Sequence, residues 1–204
     1  MKAKKVYEFR TSGEIVSMGA KDYKKLQIDK WMKQWLPDNK YEISKYGNLS
    51  IDGNVDLRYK DVTYIPDFSH FNIEIGGYLD IYGTKITKLP EDLYVDSWLD
   101  ISYTNITHLP DNLRVEDDIY AINSKLIYIP DDFNVNGSLN LKNTPISKLP
   151  KNLYVRWRLN LIKTNIKSLY GINLKVDNTI YLSKNKDIKI PKKYLDKIKF
   201  IDES

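Results

Sequence analysis

Along the middle of this chain, apolar residues return at the same two places every twenty residues. One column runs Leu79, Leu99, Ile119, Leu139, Leu159 and, after one inserted residue, Ile180; a second, two places on, runs Ile81, Ile101, Ala121, Leu141, Leu161 and Leu182. Alternation within each tripeptide is the signature of a strand, so Leu99 and Ile101 point inward while Trp98, Asp100 and Ser102 point outward. Each period continues with a small hydroxyl residue (Thr84, Thr104, Ser124, Thr144, Thr164), an aliphatic (Ile86, Ile106, Leu126, Ile146, Ile166) and, in most, a proline (Pro90, Pro110, Pro130, Pro150). It closes on Leu93-x-Val95, Leu113-x-Val115, Phe133-x-Val135 or Leu153-x-Val155. A register held this long means one supersecondary unit stacked on copies of itself. The expected fold class is a β-rich repeat solenoid of 20-residue coils, with the tripeptides forming a parallel sheet along one face. In that frame the hydroxyls bond backbone groups that a tight turn leaves unpaired, and the prolines fix φ at corners that need no donor.

The two ends depart from the pattern. Residues 4–10 alternate like a short strand, Thr11-Ser12-Gly13 interrupts it, and Ala20 to Leu36 reads as an amphipathic helix. Its broad apolar stripe is Tyr23, Leu26, Ile28, Trp31, Met32, Trp35 and Leu36, and Pro37-Asp38-Asn39 stops it. An end coil exposes its apolar cross-section, so residues 1–45 are expected to form a small N-terminal α/β cap with the tryptophans in its core. The solenoid proper is expected over 46–191, beginning irregularly at Val55-x-Leu57, Val62, Ile65 and Pro66, with four extra residues within 67–77. Near its end Tyr170-Gly171 stands where a proline is expected and Asn185 where a threonine is. In residues 192–204, Tyr194, Leu195, Ile198 and Ile201 fall at helical spacing, which predicts a short C-terminal cap.

The coil pattern L-x-[IL]-x-x-T-x-I-x-x-L-P-x-x-L-x-V resembles the short leucine-rich repeats of bacteria. It is more closely similar to leucine-rich-repeat-like proteins encoded by tailed bacteriophages, whose coils follow a lead-in like Leu49-Ser50-Ile51-Asp52-Gly53-Asn54-Val55-Asp56-Leu57. The resemblance covers residues 41–191. It implies a leucine-rich-repeat-like fold that works by binding partners, and a phage origin would place it in the host cytoplasm.

Composition narrows the chemistry. The absence of cysteine removes disulfides, zinc-thiolate sites and thiol nucleophiles together, including the cysteine-dependent ubiquitin ligase module that some bacterial effectors attach to such repeats. No run approaches the length of a membrane span, and Met1-Lys2-Ala3-Lys4-Lys5 leads into charge where a signal peptide would be apolar, so a cytoplasmic protein without membrane contact is expected. The net charge of +5 hides an asymmetry. Residues 51–140 carry 6 Lys/Arg against 16 Asp/Glu, whereas residues 141–204 carry 15 against 5. Such a dipolar surface orients a charged partner during encounter.

Function is expected in the outward file of the sheet, which in its first half is aromatic and acidic. Tyr78, Asp80, Tyr82, Trp98, Asp100, Asp118 and Tyr120 are the candidate protein-binding residues, since large aromatics beside charge compose binding hot spots. A rival basic surface, suited to nucleic acid, comprises Lys142, Arg156, Arg158 and Lys163, with Trp157 and Tyr154 interleaved. The catalytic inventory is thin. His70 and His108 are the only histidines and neither sits in a triad or metal spacing. Glu116-Asp117-Asp118 lacks the ligand spacing of a calcium loop. Asp80 and Asp100 should lie about 5 Å apart on adjacent strands, but no cleft is expected around them. The expectation is therefore a non-enzymatic protein-interaction module with no cofactor or metal, and nucleic-acid binding through the basic third as the alternative.

Overall fold

A computed structural model describes residues 6–11, 14–67, 72–184 and 187–202. His70, most of the extra residues before Asn72 and Asn185 lie outside that set. The chain is a β-solenoid whose coils rise by one strand spacing each. Eight parallel strands form the front sheet: Val55–Asp56, Leu79–Asp80, Leu99–Asp100, Ile119–Tyr120, Leu139–Asn140, Arg158–Asn160, Thr179–Ser183 and Ile198–Ile201. Their register is that of the repeat, with Leu79 beside Leu99 and Leu159 beside Ile180. The inward columns are closed to solvent: Leu79, Ile81, Leu99, Ile101, Leu139 and Leu141 are all 0% exposed.

The structure adds a second face that the repeat did not announce. The closing Leu-x-Val tripeptides are strands too. Leu49–Ile51, Asn72–Ile75, Asp92–Val95 and Arg114–Val115 pair in parallel, with Tyr41–Ile43 antiparallel at the end, and Phe133–Val135, Asn152–Val155 and Asn173–Val176 form a separate three-stranded sheet. The break falls between Arg114–Val115 and Phe133–Val135, and Asp132, just before the second of these strands, has a left-handed φ of 61°. Both faces feed a single apolar core that runs from Ile28 to Tyr194.

Between each front strand and the next turn lies a left-handed residue: Tyr59, Gly83, Tyr103, Asn123, Asn143 and Lys163 have φ between 55° and 67°. A non-glycine residue there costs about 1 kcal/mol or more. Inter-coil bonds hold the conformation, since the amides of Tyr59, Tyr103 and Asn123 donate to the carbonyls of Tyr82, Ile122 and Lys142 at 2.9–3.0 Å. The hydroxyl that follows has the structural role expected of it. Thr104, Ser124, Thr144 and Thr164 are buried and donate to the carbonyls of Ile101, Ala121, Leu141 and Leu161 at 2.6–2.8 Å.

At the N-terminal end, Val6–Thr11 and Glu14–Gly19 form an antiparallel hairpin, so the single strand expected there is one arm of two. Helix α1 (Ala20–Trp35) follows and lays Ile28, Trp31 and Met32, each at most 2% exposed, on the core. Trp31 Nε1 donates to the Tyr64 carbonyl at 2.9 Å, Tyr41 Oη to Asp29 Oδ1 at 2.8 Å, and Lys60 Nζ to the Trp35 carbonyl at 2.7 Å. The C-terminal expectation needs correction. Lys192–Lys197 is a 3₁₀ helix, but Ile198–Ile201 is a strand that extends the front sheet. Helical spacing of Ile198 and Ile201 was fortuitous, and strand pairing beside Thr179–Ser183 places Ile198 and Phe200 in the two inward columns instead.

Candidate protein-binding face

The candidate site is the outer surface of the front sheet over its first four strands. Strand alternation does turn Tyr78, Asp80, Tyr82, Trp98, Asp100 and Tyr120 away from the core, with Asp118 just before its strand, but they are less exposed than free outward side chains would be. Tyr78, Tyr82, Trp98, Asp100, Asp118 and Tyr120 are half-buried, and Asp80 is only 4% exposed. They cover one another. The Tyr78 and Trp98 rings stack at 4.1 Å and 12°, and Tyr120 meets Trp98 edge-on at 6.3 Å. Tyr78 and Trp98 stand where their strands begin, and Tyr120, which ends its strand in register with Asp100, reaches back to Trp98.

A second row lies along the opposite edge, where the strands end. Tyr82 is set between Tyr59 at 5.1 Å and Tyr103 at 4.9 Å. Gly83 makes room for the Tyr59 ring: a Cβ at 83 would come within 3.1 Å of Tyr59 Cδ1, and its φ of 67° suits glycine. Tyr59 and Tyr103 are 76% and 52% exposed, the most open aromatics of the face, and were missed in the sequence because they occupy turn positions. Their signal was present: Tyr103 stands immediately before Thr104 of the hydroxyl column, and Tyr59 stands at the equivalent place before Lys60. Packing among the three rings withdraws the Tyr82 hydroxyl from water and raises its pKa to about 12, with Tyr59 adding to the shift.

The carboxylates between the rows bind the protein's own backbone. Asp80 Oδ1 accepts the Tyr82 amide at 3.0 Å and Asp100 Oδ1 the Ser102 amide at 2.7 Å, each two residues on. Asp56, Asn140 and Asn160 do the same for Arg58, Lys142 and Ile162. This is an Asx turn repeated coil after coil, satisfying an amide at the strand end. Where Tyr120 takes the place, Ser102 Oγ of the preceding coil accepts the Ile122 amide at 3.0 Å. Asp118 accepts from the Ser138 amide and, at 2.6 Å, from the Tyr120 hydroxyl. It reaches that amide because residue 137 is glycine, since a Cβ there would collide with Asp118 and the backbone of Asp117.

Electrostatics follow from these contacts. Arg58 bonds Asp56 at 2.6 Å and reaches Asp80 Oδ2 at 3.3 Å, bridging two coils. The Asp56 carboxyl is held below its ordinary range chiefly by its hydrogen bond to Arg58. Asp80 is pushed upward, because loss of water outweighs both the Tyr82 amide and Arg58, and the neighbouring Asp100 adds repulsion.

The rival basic residues are all exposed: Lys142, Arg156, Arg158 and Lys163 make no ion pair among the described residues. Arg156 and Arg158 flank Trp157, itself 51% exposed, where strands begin, while Lys142 and Lys163 stand where strands end. The sheet therefore separates the four into two pairs. His108 is exposed and bonds the Thr107 hydroxyl at 2.8 Å. Among the described residues no three metal-capable side chains cluster, and no helix is long and apolar enough to cross a membrane. A cavity of about 480 Å³ lies away from this face, between the first turns of α1 and the Ser44–Gly47 turn, lined by Lys21, Lys24, Lys25 and Lys45. In comparisons with known proteins, no family model matches the chain, and no curated protein or solved structure is similar to it.

Proposed function

We propose that this chain is a non-enzymatic, leucine-rich-repeat-like binding module, phage-encoded and working in the host cytoplasm, that docks a host or virion protein on its front sheet. The observation that carries the reading is the pair of aromatic rows. Tyr59, Tyr82 and Tyr103 along the strand ends, and Tyr78 and Trp98 along the strand starts with Tyr120 packed edge-on against Trp98, make a pre-packed aromatic surface across four strands. Rings that hold each other in place lose little conformational entropy on binding, which favours their use as anchors. The carboxylates support those rings and the strand ends, so the contact surface centres on the aromatics. The test is affinity capture with the parent protein and with two variants, Tyr59→Ala/Tyr103→Ala and Trp98→Ala/Tyr120→Ala. Partners retained by the parent should be lost from both at unchanged fold, with a loss of about 2 kcal/mol or more for the recovered partner. Identical captured sets would refute the reading.

One feature supports the second reading, nucleic-acid binding by the basic third: Trp157 is exposed between two arginines that have no acidic partner among the described residues. Binding to arbitrary single-stranded DNA would then weaken steeply with salt, and Arg156→Glu/Arg158→Glu would flatten that dependence.

A further inference from the structure

The outer side of the second face carries the same arrangement twice. Asn72–Ile75, Asp92–Val95 and Arg114–Val115 form one block of successive strands, and Phe133–Val135, Asn152–Val155 and Asn173–Val176 form the next. Alternation sends Leu93, Val95, Leu153 and Val155 into the core and turns the residues between them outward. In the first block the outward side chains leave a shallow hollow of about 320 Å³ around Tyr94, walled by Asn72, Glu74, Asp92, Asn112 and Arg114. In the second they leave one of about 260 Å³ around Tyr154, walled by Asp132, Asn134, Asn152, Asn173 and Lys175. Register makes the two equivalent. Tyr94 is flanked on its neighbouring strands by Glu74 and Arg114, and Tyr154, three coils on, by Asn134 and Lys175.

The contacts inside the hollows repeat as well. Tyr94 Oη donates to Asp96 Oδ1 at 2.9 Å and Tyr154 Oη to Asp177 Oδ2 at 2.7 Å, so each half-buried ring is fixed at its hydroxyl end. Asn112 Nδ2 donates to Asp92 Oδ1 at 3.0 Å, and Asn152 Nδ2 to Asp132 Oδ1 at 2.5 Å. A cation completes each wall: Lys175 Nζ lies 4.6 Å from the centre of the Tyr154 ring, and Arg114 has no ion-pair partner among the described residues. What the two hollows do not share is charge. The Tyr94 hydroxyl is pushed up to about 12 chiefly by its bond to Asp96, with the carboxylates of Glu116 and Glu74 adding to the shift. Tyr154 is pushed up by its bond to Asp177, but Arg156 draws it back. An anion suited to the second hollow is repelled by the first, and a cation suited to the first by the second. A ligand common to both is uncharged.

We propose that the hollows around Tyr94 and Tyr154 are two subsites for one uncharged, linear polysaccharide lying along the stack. A sugar ring presents what this lining takes: an apolar C–H face for the tyrosine, and pairs of neighbouring hydroxyls for the side-chain amides, the carboxylates and the guanidinium fork of Arg114. The subsites are three rungs apart, about 14 Å at the spacing of paired strands, a distance that a short run of hexose units covers. A repeating ligand on a repeating surface gains from both at once, because the second contact is made within the complex. These subsites lie on the second face and stand independently of the aromatic rows of the front sheet.

The test applies the full chain to an array of neutral linear oligosaccharides of glucose, mannose, galactose and N-acetylglucosamine, with short members that fill one hollow and long ones that span both, and follows the best series by titration calorimetry. At least one series should bind, its long members about tenfold or more tighter than its short ones. Tyr94→Ala and Tyr154→Ala, each alone, should bring the long oligosaccharide down to the affinity of the short one, and together should abolish binding with an unchanged circular dichroism spectrum. Asn112→Ala/Asn173→Ala, at two exposed positions, keeps both rings and should weaken the long oligosaccharide about fivefold or more, which holds the proposal to account even if a tyrosine variant misfolds. Trp98→Ala/Tyr120→Ala on the front sheet should leave this binding unchanged. Absence of binding to every neutral series, binding of charged polysaccharides alone, an affinity independent of length, or full affinity in the asparagine variant would overturn the proposal.

Discussion

The two ends of this solenoid meet the same physical problem and treat it differently. At the N-terminal end α1 lies on the core, burying Ile28, Trp31 and Met32 and tying itself down through Trp31 and Lys60. At the C-terminal end of the described residues a 3₁₀ turn and one more strand continue the stack, and Phe200, in an inward column, is half exposed. A helix can seal a stack because it satisfies its own backbone and presents one apolar stripe. A strand cannot, because it moves the exposed columns and the open edge outward by one rung. The difference teaches that extending a repeat and ending it are separate tasks.

That comparison can be broken by experiment. The coil interior sets the upper reference. Leu141→Asp places a charge where exposure is 0%, between covered rungs, and should cost several kcal/mol or prevent folding, read from thermal melts. At the closed end Trp31→Ala should cost about 3 kcal/mol, through the cavity and the lost bond to the Tyr64 carbonyl, with a fall in the denaturant midpoint. At the open end Phe200→Ala should cost less than about 1 kcal/mol, since half of that ring is already solvated. Equal losses for Trp31→Ala and Phe200→Ala would show that the two ends are equally sealed.

The smallest expected effect concerns Asp80, two coils from the closed end. Its carboxyl lies above the ordinary value of 3.8, so the folded state takes up a proton more readily than the unfolded one. Its contribution is therefore most favourable in acid and declines as pH rises through the raised value. Asp80→Asn keeps an oxygen for the Tyr82 amide and removes the titration. Stability of the variant relative to the parent should rise by a few tenths of a kcal/mol between pH 4 and pH 7, measured by denaturant unfolding at each pH. A gain confined to acid pH would reverse the assigned sign.

The columns Leu79 to Ile180 and Ile81 to Leu182 are legible in the sequence alone, and so is the hydroxyl after each strand, because each is repeated and each has one physical use. The second face was not legible. Leu93-x-Val95 and its equivalents carry the same alternation as the front tripeptides, but a short alternating run just after a proline reads equally as a corner. The backbone bonds of the candidate site's carboxylates were hidden for a related reason. Asp80 and Asp100 look like outward charge in a strand, and only the backbone of the following turn shows that each caps an amide two residues on. Tyr59 and Tyr103 were hidden by position, since a left-handed residue in a turn is not counted as part of a sheet face, yet the turn lifts both rings to flank Tyr82.

By itself, the sequence of this protein determined the coil length, the inward columns, the buried hydroxyls and the helix that closes one end. These are local or periodic properties, set by alternation, turn chemistry and amphipathic spacing, and each recurs within a few residues of its cause. Only the tertiary structure decided which coils pair on the second face, which outward side chains are engaged by neighbouring coils, and that Ile198–Ile201 joins the front sheet. Those outcomes depend on contacts between residues twenty or so apart in the chain, where a missing Cβ at Gly83 or Gly137 changes what the neighbouring rung can reach. Stacking turns a one-dimensional pattern into shared contacts, and the sharing is set only when the rungs meet.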